Sequence, residues 1–273
     1  MEEIIVSTSN PRIKNVLKLK EKSSERRAQN LIVVEGFREI RKLKENNFEI
    51  KTLFICDAIY QKKHKEILAG VSHLVRVSKE VFEKIAYREN SDGLLALVKP
   101  KYHRFSELTL SANPLLVILE SVEKPGNLGA ILRTADGAGV DAVIVCDIKT
   151  DIYNPNVIRS SIGCVFSKQV VAASADDVLR YLKEKKIKPY AAALTAKKNY
   201  AEADLKSPCA IVFGTEAEGL SQKWLEEGEQ VKIPMLGKAD SLNVSASCAV
   251  ILYEAVRQRS GLSEGLHRSR QTG

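Results

Sequence analysis

The chain has 273 residues, 44% of them hydrophobic and 28% charged, with a net charge of +8. This composition predicts one large or two modest globular domains with apolar cores, and the positive charge favours an acidic partner such as a nucleic acid. No apolar run approaches the roughly 20 residues that span a bilayer. The start, "MEEIIVSTSN", has neither the basic nor the apolar region of a signal peptide. We therefore expect a cytoplasmic protein with no membrane partner.

The first predicted element is a basic helix over residues 10–29. Asn10 is its expected cap, and Pro11 takes the first helical position. Seven basic side chains lie within residues 12–27, namely Arg12, Lys14, Lys18, Lys20, Lys22, Arg26 and Arg27. Such a run is either a solvated helix face or a nucleic-acid-binding surface, and the charge of the whole chain favours a nucleic acid.

Strands and helices alternate from there to residue 98. The predicted strands are "NLIVVEG", "IKTLFICD", "HLVRVS" and "GLLALVKP", and the predicted helices between them are "FREIRKLKENN", "YQKKHKEILAG" and "KEVFEKIAYREN". Alternation with short connections is typical of an α/β layer structure. The stretch "KPKYHRFSELTLSANP" contains two prolines and little periodicity. We therefore place a boundary there and predict domains over 1–107 and 108–273.

The second domain is predicted to hold a parallel sheet. Its strands are "LLVILE", "DAVIVCD", "KPYAAAL", "CAIVFG" and "QVKIPM", with one helix over about 128–138 and a last helix that begins near Val244. These strands are continuous apolar runs, which a parallel sheet covered on both faces requires.

The cysteines and histidines indicate neither disulfides nor a metal site. Five cysteines show no C-x-x-C spacing, and most lie in apolar runs: Cys56, Cys146, Cys164, Cys209 and Cys248. This pattern predicts buried free thiols. The four histidines are widely spaced, so we expect no metal ion.

Three polar or glycine-rich segments follow strands of the second domain directly. They are "ESVEKPGNLGAILRTADGAG", "GTEAEGLS" and "LGKADSLNVS". Because loops after parallel strands gather at the carboxyl edge of the sheet, we expect them to form one ligand site. Neither the G-x-G-x-x-G fingerprint nor the G-x-x-x-x-G-K-[ST] phosphate loop occurs. A ligand without phosphate, held by backbone groups, therefore fits better than a nucleotide phosphate.

Each candidate residue in these loops also has a purely structural interpretation. Arg133 lies about 140° from the apolar face of its helix, which is typical of a solvated arginine. Asn127, Ser241 and Asn243 can be helix caps, and Glu216 can be a turn carboxylate between two glycines. The functional interpretation depends on their combination.

The three segments carry three motifs in chain order. They are N-x-G-x-x-x-R at 127–133, F-G-x-E-x-x-G-L at 213–220, and I-P-M followed by S-L-N-V-S within 233–245. Together they resemble the motifs of the SpoU/TrmH branch of the SPOUT superfamily, whose members are RNA ribose 2′-O-methyltransferases. The resemblance covers residues 115–258. The N-terminal part is similar to the substrate-binding domain of the same family, which has a ribosomal-protein-like α/β fold.

The resemblance implies a fold and an assembly. A parallel-sheet SPOUT domain with a deep trefoil knot is expected at 108–273, after a smaller ribosomal-protein-like α/β domain. A homodimer is expected through the knotted domain, with residues 1–105 dispensable for it. Close approach of knot, cofactor and partner chain accounts for the small residues that begin the last helix, "SLNVSASCAV".

The resemblance also implies a cofactor and the residues of its site. S-adenosylmethionine is expected, with no metal ion, and backbone groups of Gly214, Ile233 and Leu242 are expected to hold it. The residues expected to take part in catalysis are Asn127, Arg133, Glu216, Ser241 and Asn243.

Arg133 matches the essential arginine of the family. A guanidinium stays protonated in proteins. We therefore interpret Arg133 as a clamp on a neighbouring phosphate and a stabiliser of the developing alkoxide, rather than as a base. No histidine occurs between residues 104 and 266, which excludes a histidine base within this part of the chain.

Three functions remain open at this point. The first is methylation of a ribose 2′-hydroxyl in structured RNA, above all ribosomal RNA. The second is the same reaction on transfer RNA, and the third is a non-catalytic RNA-binding or ribosome-assembly factor on the same scaffold. The trio of Asn127, Arg133 and Glu216 speaks against the third, because a binding module needs none of them.

Overall fold

A computed structural model describes residues 4–60, 66–87, 91–147 and 149–260. The chain divides into two compact units, Met1–Lys101 with Asp151–Ser167, and Tyr102–Thr150 with Lys168–Gly273. The order of the units follows the predicted order of the domains. A cut at 107/108, however, would separate 151–167 from the residues on which they pack.

The elements are numbered in chain order. They are β1 (Ile4–Ile5), α1 (Pro11–Glu21), α2 (Ser23–Gln29), β2 (Ile32–Glu35), α3 (Phe37–Glu45), β3 (Ile50–Ile55), β4 (Leu74–Val77), α4 (Lys79–Ile85), β5 (Leu94–Val98), β6 (Leu115–Glu120), α5 (Pro125–Gly137), β7 (Ala142–Cys146), α6 (Pro155–Ser160), α7 (Cys164–Ser167), β8 (Gln169–Ala173), α8 (Ala175–Lys185), β9 (Lys188–Ala192), β10 (Lys198–Asn199), β11 (Cys209–Phe213), α9 (Gln222–Glu227), β12 (Glu229–Lys232) and α10 (Val244–Arg259). Residues 61–65 of the predicted helix "YQKKHKEILAG", and residues 88–90 at the end of "KEVFEKIAYREN", lie outside the described residues.

The sheet of the first unit is mixed. Within the described residues its order is β1-β4-β3-β5-β2. β4 pairs in parallel with β1 and β3, while β5 runs antiparallel to β3 and β2. Ile13, Val16 and Leu19 of α1 are buried and pack in one core cluster with strand residues such as Phe54 and Leu95.

The basic helix predicted over 10–29 is two helices, α1 and α2. Asn10 caps α1 by accepting a hydrogen bond from the Arg12 N–H at 2.9 Å, and Pro11 begins the helix as predicted. Lys22 between them is extended, with φ −110° and ψ 117°. This conformation ends the helical hydrogen-bond ladder and starts a second helix in a new direction.

Arg26, predicted on the basic face, is only 3% exposed. Its Nε donates to Asp151 Oδ2 at 2.7 Å, and its Nη1 donates to the Leu19 carbonyl at 2.7 Å. A charge can be buried when it is both paired and hydrogen-bonded, and Arg26 meets both conditions. Arg26 therefore fixes the segment 151–167 within the first unit, and its prediction as an RNA-facing residue is wrong.

Apolar side chains of the segment 151–167 complete the first unit. Tyr153, Val157 and Phe166 are at most 3% exposed. The Phe166 ring meets the Phe48 ring edge-on at a centroid distance of 5.1 Å, and the Tyr153 hydroxyl donates to the Lys101 carbonyl. The residues between β7 and β8 thus belong to the core of the first unit.

The sheet of the second unit is parallel, as predicted. Within the described residues its order is β10-β12-β9-β11-β6-β7-β8, and every strand pair in it is parallel. The central strands β6, β7 and β11 are buried along their whole length. This explains why they read as continuous apolar runs rather than as alternating patterns.

Helices cover this sheet and leave its carboxyl edge to loops. α8 contributes Val178 and Leu182 to a core that also holds Ile144 and Trp224. α10 packs against α5 and β11, and Asn243 caps it just before Val244, where the last helix was predicted to begin. The loops that follow β9, β11 and β12 therefore lie side by side.

The cysteines agree with the sequence-based prediction. All five are free and buried. Among the described residues, no helix combines the length and apolar character needed to cross a membrane.

Candidate functional site

A cavity of about 460 Å³ lies at the carboxyl edge of the second sheet. The loops after β9, β11 and β12 line it, together with the first turns of α10. Sites for small molecules have volumes of roughly 300–1,000 Å³. The cavity lies where a parallel α/β sheet is expected to bind a ligand, because the carboxyl ends of three neighbouring strands meet there.

Glu216 joins the three sequence motifs. Its Oε1 accepts hydrogen bonds from Asn127 Nδ2 and, at 3.2 Å, from Asn243 Nδ2. Its Oε2 accepts from Lys124 Nζ in an ion pair. Asn243 Nδ2 also lies 3.3 Å from Asn127 Oδ1. A single carboxylate thus connects the segments that follow β6, β11 and β12.

Asn243 has two functions in this cluster. Its Oδ1 accepts hydrogen bonds from the Ser245 N–H at 2.9 Å and the Ser245 hydroxyl at 2.6 Å, which caps α10. Its Nδ2 is then directed to Glu216 and Asn127. The start of α10 and the wall of the cavity therefore share one side chain.

The loop after β11 folds back on itself beside Gly214. The backbone of Thr215 and Gly219 exchanges hydrogen bonds of 2.9 and 3.1 Å. A Cβ at Gly214 would lie 2.0 Å from the Gly219 carbonyl oxygen, and Gly219 has a φ of +73°. Position 214 therefore admits only glycine in this conformation, which brings bare backbone to the cavity.

The structure brings most of the predicted site residues together. Six of the eight line the cavity: Gly214, Glu216, Ile233, Ser241, Leu242 and Asn243. Asn127 does not line it but is hydrogen-bonded to Glu216 at its edge. Arg133 is the exception. It is exposed on α5, does not line the cavity, and has no hydrogen-bond or ion-pair partner among the described residues.

Asn127 is not a helix cap, which was its structural interpretation from sequence. α5 begins at Pro125, with Lys124 at the cap position, so Asn127 is the third residue of the helix. Its backbone N–H lies 3.1 Å from the Lys124 carbonyl. The side chain is therefore not needed at the helix end and binds Glu216 instead.

Sequence reasoning missed several residues around the cavity. Lys124 gave no signal, because a lysine before a proline belongs to no pattern. Glu120, at the end of β6, is 7% exposed and accepts a hydrogen bond from the Ser221 N–H at 2.8 Å, which anchors the loop after β11. Leu194 and Thr195, in the loop after β9, also line the cavity. The loop after β9 also follows a parallel strand. The gathering of such loops at the carboxyl edge of the sheet, which predicted the other three segments, therefore predicts this loop as well.

Cys248 of α10 is no candidate nucleophile. It is fully buried, and this burial raises the pKa of its thiol. The thiol therefore stays protonated, whereas nucleophilic cysteines need a lowered pKa. In the part of the chain that the structure describes, no group of three His, Cys, Asp or Glu side chains is arranged to hold a metal ion.

Two substitutions of Asn243 separate its two functions. Asn243→Ala should lower the free energy of unfolding by about 0.5–2 kcal/mol, because α10 loses its cap. Asn243→Ser should recover most of this loss, since serine caps helices, but both variants lack the amide Nδ2 that donates to Glu216. Chemical denaturation checks the stabilities. Equal stability of the two variants would contradict the capping role.

Comparison with known proteins matches two parts of the chain to two family models. Residues 114–253 match the model of the SpoU rRNA methylase family, and residues 10–96 match that of the MRM3-like substrate binding domain. The chain is 28% identical to the 23S rRNA (guanosine(2553)-2′-O)-methyltransferase RlmP of Bacillus subtilis, over 91% of this chain and 97% of that protein.

Solved structures resemble most of the chain. The crystal structure of an RNA 2′-O ribose methyltransferase aligns with a TM-score of 0.84 at 40% identity, covering 94% of this chain and all of that one. The SpoU methyltransferase AviRb from Streptomyces viridochromogenes, in complex with the cofactor AdoMet, aligns with a TM-score of 0.85 at 26% identity, over 92% of this chain and 98% of that one.

The parallel sheet and its edge cavity define an α/β domain that binds a small molecule. The family match extends over more than half of the chain and includes all three motifs around that cavity. The chain belongs to the SpoU rRNA methylase family.

Proposed function

We propose that the protein transfers a methyl group from S-adenosylmethionine to a ribose 2′-hydroxyl of ribosomal RNA. The observation that carries this proposal is the joining of the three family motifs by Glu216 at the edge of the cavity. RlmP, by its name, acts on a guanosine of 23S rRNA. We therefore also propose a guanosine of that RNA as the target.

The residues of the cavity fit S-adenosylmethionine. Aliphatic side chains of Ile233, Leu242, Val244 and Ile251 line it, which suits an adenine ring. The carboxylate of Glu216 lies at the same wall, where Lys124 balances its charge. When bound, the cofactor supplies an electrophilic methyl group. Backbone groups of Gly214, Ile233 and Leu242 are the proposed contacts that hold it.

The chain's own residues have to orient the ribose and stabilise the charge that develops on its oxygen. We assign Arg133 to a phosphate next to the target ribose, where its guanidinium also stabilises the alkoxide. Asn127, Glu216 and Asn243 hold the three motif segments in register through their hydrogen bonds. Ser241 lines the cavity near them and is proposed to contact the substrate.

Calorimetry tests the cofactor site. The full chain should bind S-adenosylmethionine and its demethylated product in a 1:1 ratio, with the same affinity in the presence of a chelator. Adenosine triphosphate should not compete, because the cavity lacks a phosphate loop. A folded chain that binds neither cofactor form would contradict the enzymatic function and leave the non-catalytic factor. Methylation of transfer RNA in place of ribosomal RNA would favour the second alternative.

RNA affinity is proposed to come largely from the first unit, which matches a substrate binding domain. Five of the seven basic side chains predicted for the first helix are exposed: Arg12, Lys14, Lys18, Lys22 and Arg27. Proteins that bind RNA through phosphates release counterions, so their affinity falls steeply with salt.

Glutamine at positions 14, 18 and 27 should therefore flatten the salt dependence of RNA binding. The slope of log K against log salt is expected to fall by about 0.7–0.9 for each phosphate that the variant no longer neutralises. A matched control removes three exposed basic groups that are already paired with carboxylates in the same unit, through Arg41→Gln, Lys51→Gln and Lys79→Gln. Equal slopes in both triple variants would show that the basic face is only solvated.

We also propose the homodimer and the deep trefoil knot of the SPOUT fold for the second unit, and a cytoplasmic site of action beside ribosomal RNA. Exposed apolar side chains support the dimer, since Leu236 is 97% and Tyr253 is 54% exposed. Light scattering of the full chain at micromolar concentration should give a dimer, and a monomer would count against it. A truncated chain that starts near residue 108 is unsuitable, because it would expose the apolar side chains of 151–167.

A further inference from the structure

Tyr87, on the first unit, has two cations against its ring. Lys20 Nζ lies 5.5 Å and Arg159 Cζ lies 5.4 Å from the ring centroid. The ring is held in place, because its hydroxyl donates to Asn156 Oδ1 and its backbone N–H donates to the Glu35 carboxylate. Tyr87 nevertheless remains 38% exposed.

The two cations differ in what they still offer to a ligand. Lys20 Nζ donates to the Ile85 and Ala86 carbonyls at 3.2 and 2.6 Å, and burial lowers its pKa. Arg159 is exposed, and no described residue forms a hydrogen bond or an ion pair with its guanidinium. A guanidinium has five N–H donors and a planar face. Arg159 is thus restrained by an aromatic ring while its donors stay available.

The sequence position of Arg159 does not reveal the unit of the fold to which it belongs. It belongs to the span that matches the methylase family, 114–253, yet it lies on the unit that matches the substrate binding domain. Asn156 and Arg159 lie on one face of α6, three residues apart, and both contact Tyr87. The buried ion pair between Arg26 and Asp151 anchors the same segment. The fold therefore builds this cluster from two distant parts of the sequence.

The space beside the ring is too small to enclose a ligand. A cavity of about 20 Å³ is bordered by Tyr87, Arg159, Val33 and Ile158. A volume of about 10–15 Å³ accommodates one water molecule, and a nucleobase is far larger. A planar ligand must therefore lie on the exposed side of the cluster.

We propose that Tyr87 and Arg159 form a binding site for an unstacked nucleotide of the RNA substrate. Proteins read single-stranded RNA by stacking bases on aromatic rings and guanidinium planes while cations contact the phosphates. Arg159 offers the plane and the free donors, and Lys20 adds positive charge beside it. The inference rests on the proposed function for its RNA substrate and adds the residues that recognise one nucleotide.

The test is direct RNA binding by full-length variants, measured by fluorescence anisotropy on a ribosomal RNA fragment. Arg159→Gln should weaken binding about 5- to 150-fold, the effect of losing one stacked base. Arg159→Lys should retain the salt dependence, since it keeps the charge, but should not restore full affinity. The affinity for S-adenosylmethionine should be unchanged, because Arg159 does not line the proposed cofactor cavity. Thermal unfolding verifies that each variant is folded.

Arg41 provides a matched control on the same unit. Its Cζ lies 5.6 Å from the centroid of the Phe37 ring, so Arg41→Gln removes the same charge from the same kind of contact. Wild-type binding by Arg159→Gln, or equal weakening by Arg41→Gln, would overturn the proposal. If the wild type methylates RNA while Arg159→Gln binds RNA normally, only this inference fails. A wild type that binds RNA but transfers no methyl group refutes the proposed function instead.

Discussion

Replacement of Arg133 by alanine is expected to lower the kcat of methyl transfer by about 10²–10³. The residue is exposed on α5 and does not line the cavity, so its removal should leave the fold and the cofactor affinity intact. The loss falls on the transition state, because that is when negative charge develops on the ribose oxygen. Single-turnover transfer of a labelled methyl group to ribosomal RNA, at saturating cofactor, measures it.

Two further variants define what Arg133 contributes. Arg133→Lys should also be poor, because a point charge does not reproduce the two-pronged contact of a guanidinium with a phosphate. Arg180→Ala is the control, since Arg180 is likewise exposed on a helix of the second unit, where it is paired with Asp177 at 2.9 Å. The kcat of Arg180→Ala for methyl transfer should equal that of the wild type. An Arg133→Ala variant that methylates at nearly the wild-type rate would refute the assigned role.

Replacement of Gly214 by alanine is expected to weaken S-adenosylmethionine binding by roughly 5- to 150-fold, because overpacking of this kind typically costs about 1–3 kcal/mol. The added Cβ would lie 2.0 Å from the Gly219 carbonyl oxygen and 2.5 Å from the Leu220 nitrogen. These are backbone atoms, so the loop after β11 must move out of the conformation that forms the cavity wall. Calorimetric titration of the variant measures the loss.

Gly237→Ala is the matched control for this effect. Gly237 lies in the loop between β12 and α10, and a Cβ there would meet no atom within 4 Å. The control should bind the cofactor as the wild type does. If Gly214→Ala also retains wild-type affinity, the tight return of the loop between Thr215 and Gly219 is not required for binding.

Much of the second unit could be predicted from sequence, for a physical reason. Strands such as β6 and β11 are buried on both faces, so nearly every residue in them is apolar and the pattern is unmistakable. The break at Lys22 and the burial of Arg26 could not be predicted in this way. The burial of Arg26 depends on its ion pair with Asp151, and no local pattern reports a partner so distant in the chain.

In the candidate site, too, residues that follow a pattern could be predicted, and residues that depend on a single contact could not. The residues near the cavity were found because loops after parallel strands meet at one edge and because their motifs resemble those of a known family. Lys124 and Glu120 were missed because their importance comes from single contacts, with Glu216 and with the Ser221 N–H. Arg133 was found by the motif alone, and the structure places it apart from the cavity.

Mass mapping of methylated ribosomal RNA tests the central claim most directly. The purified full-length protein is incubated with unmodified ribosomal RNA and S-adenosylmethionine that carries an isotope-labelled methyl group. The RNA is then digested, and its fragments are analysed by mass spectrometry. We predict label on the 2′-oxygen of one guanosine ribose of 23S rRNA, and about 10²–10³ times less label with the Arg133→Ala variant over the initial-rate period. Label on a base, or none at all while the cofactor remains bound, would contradict the account.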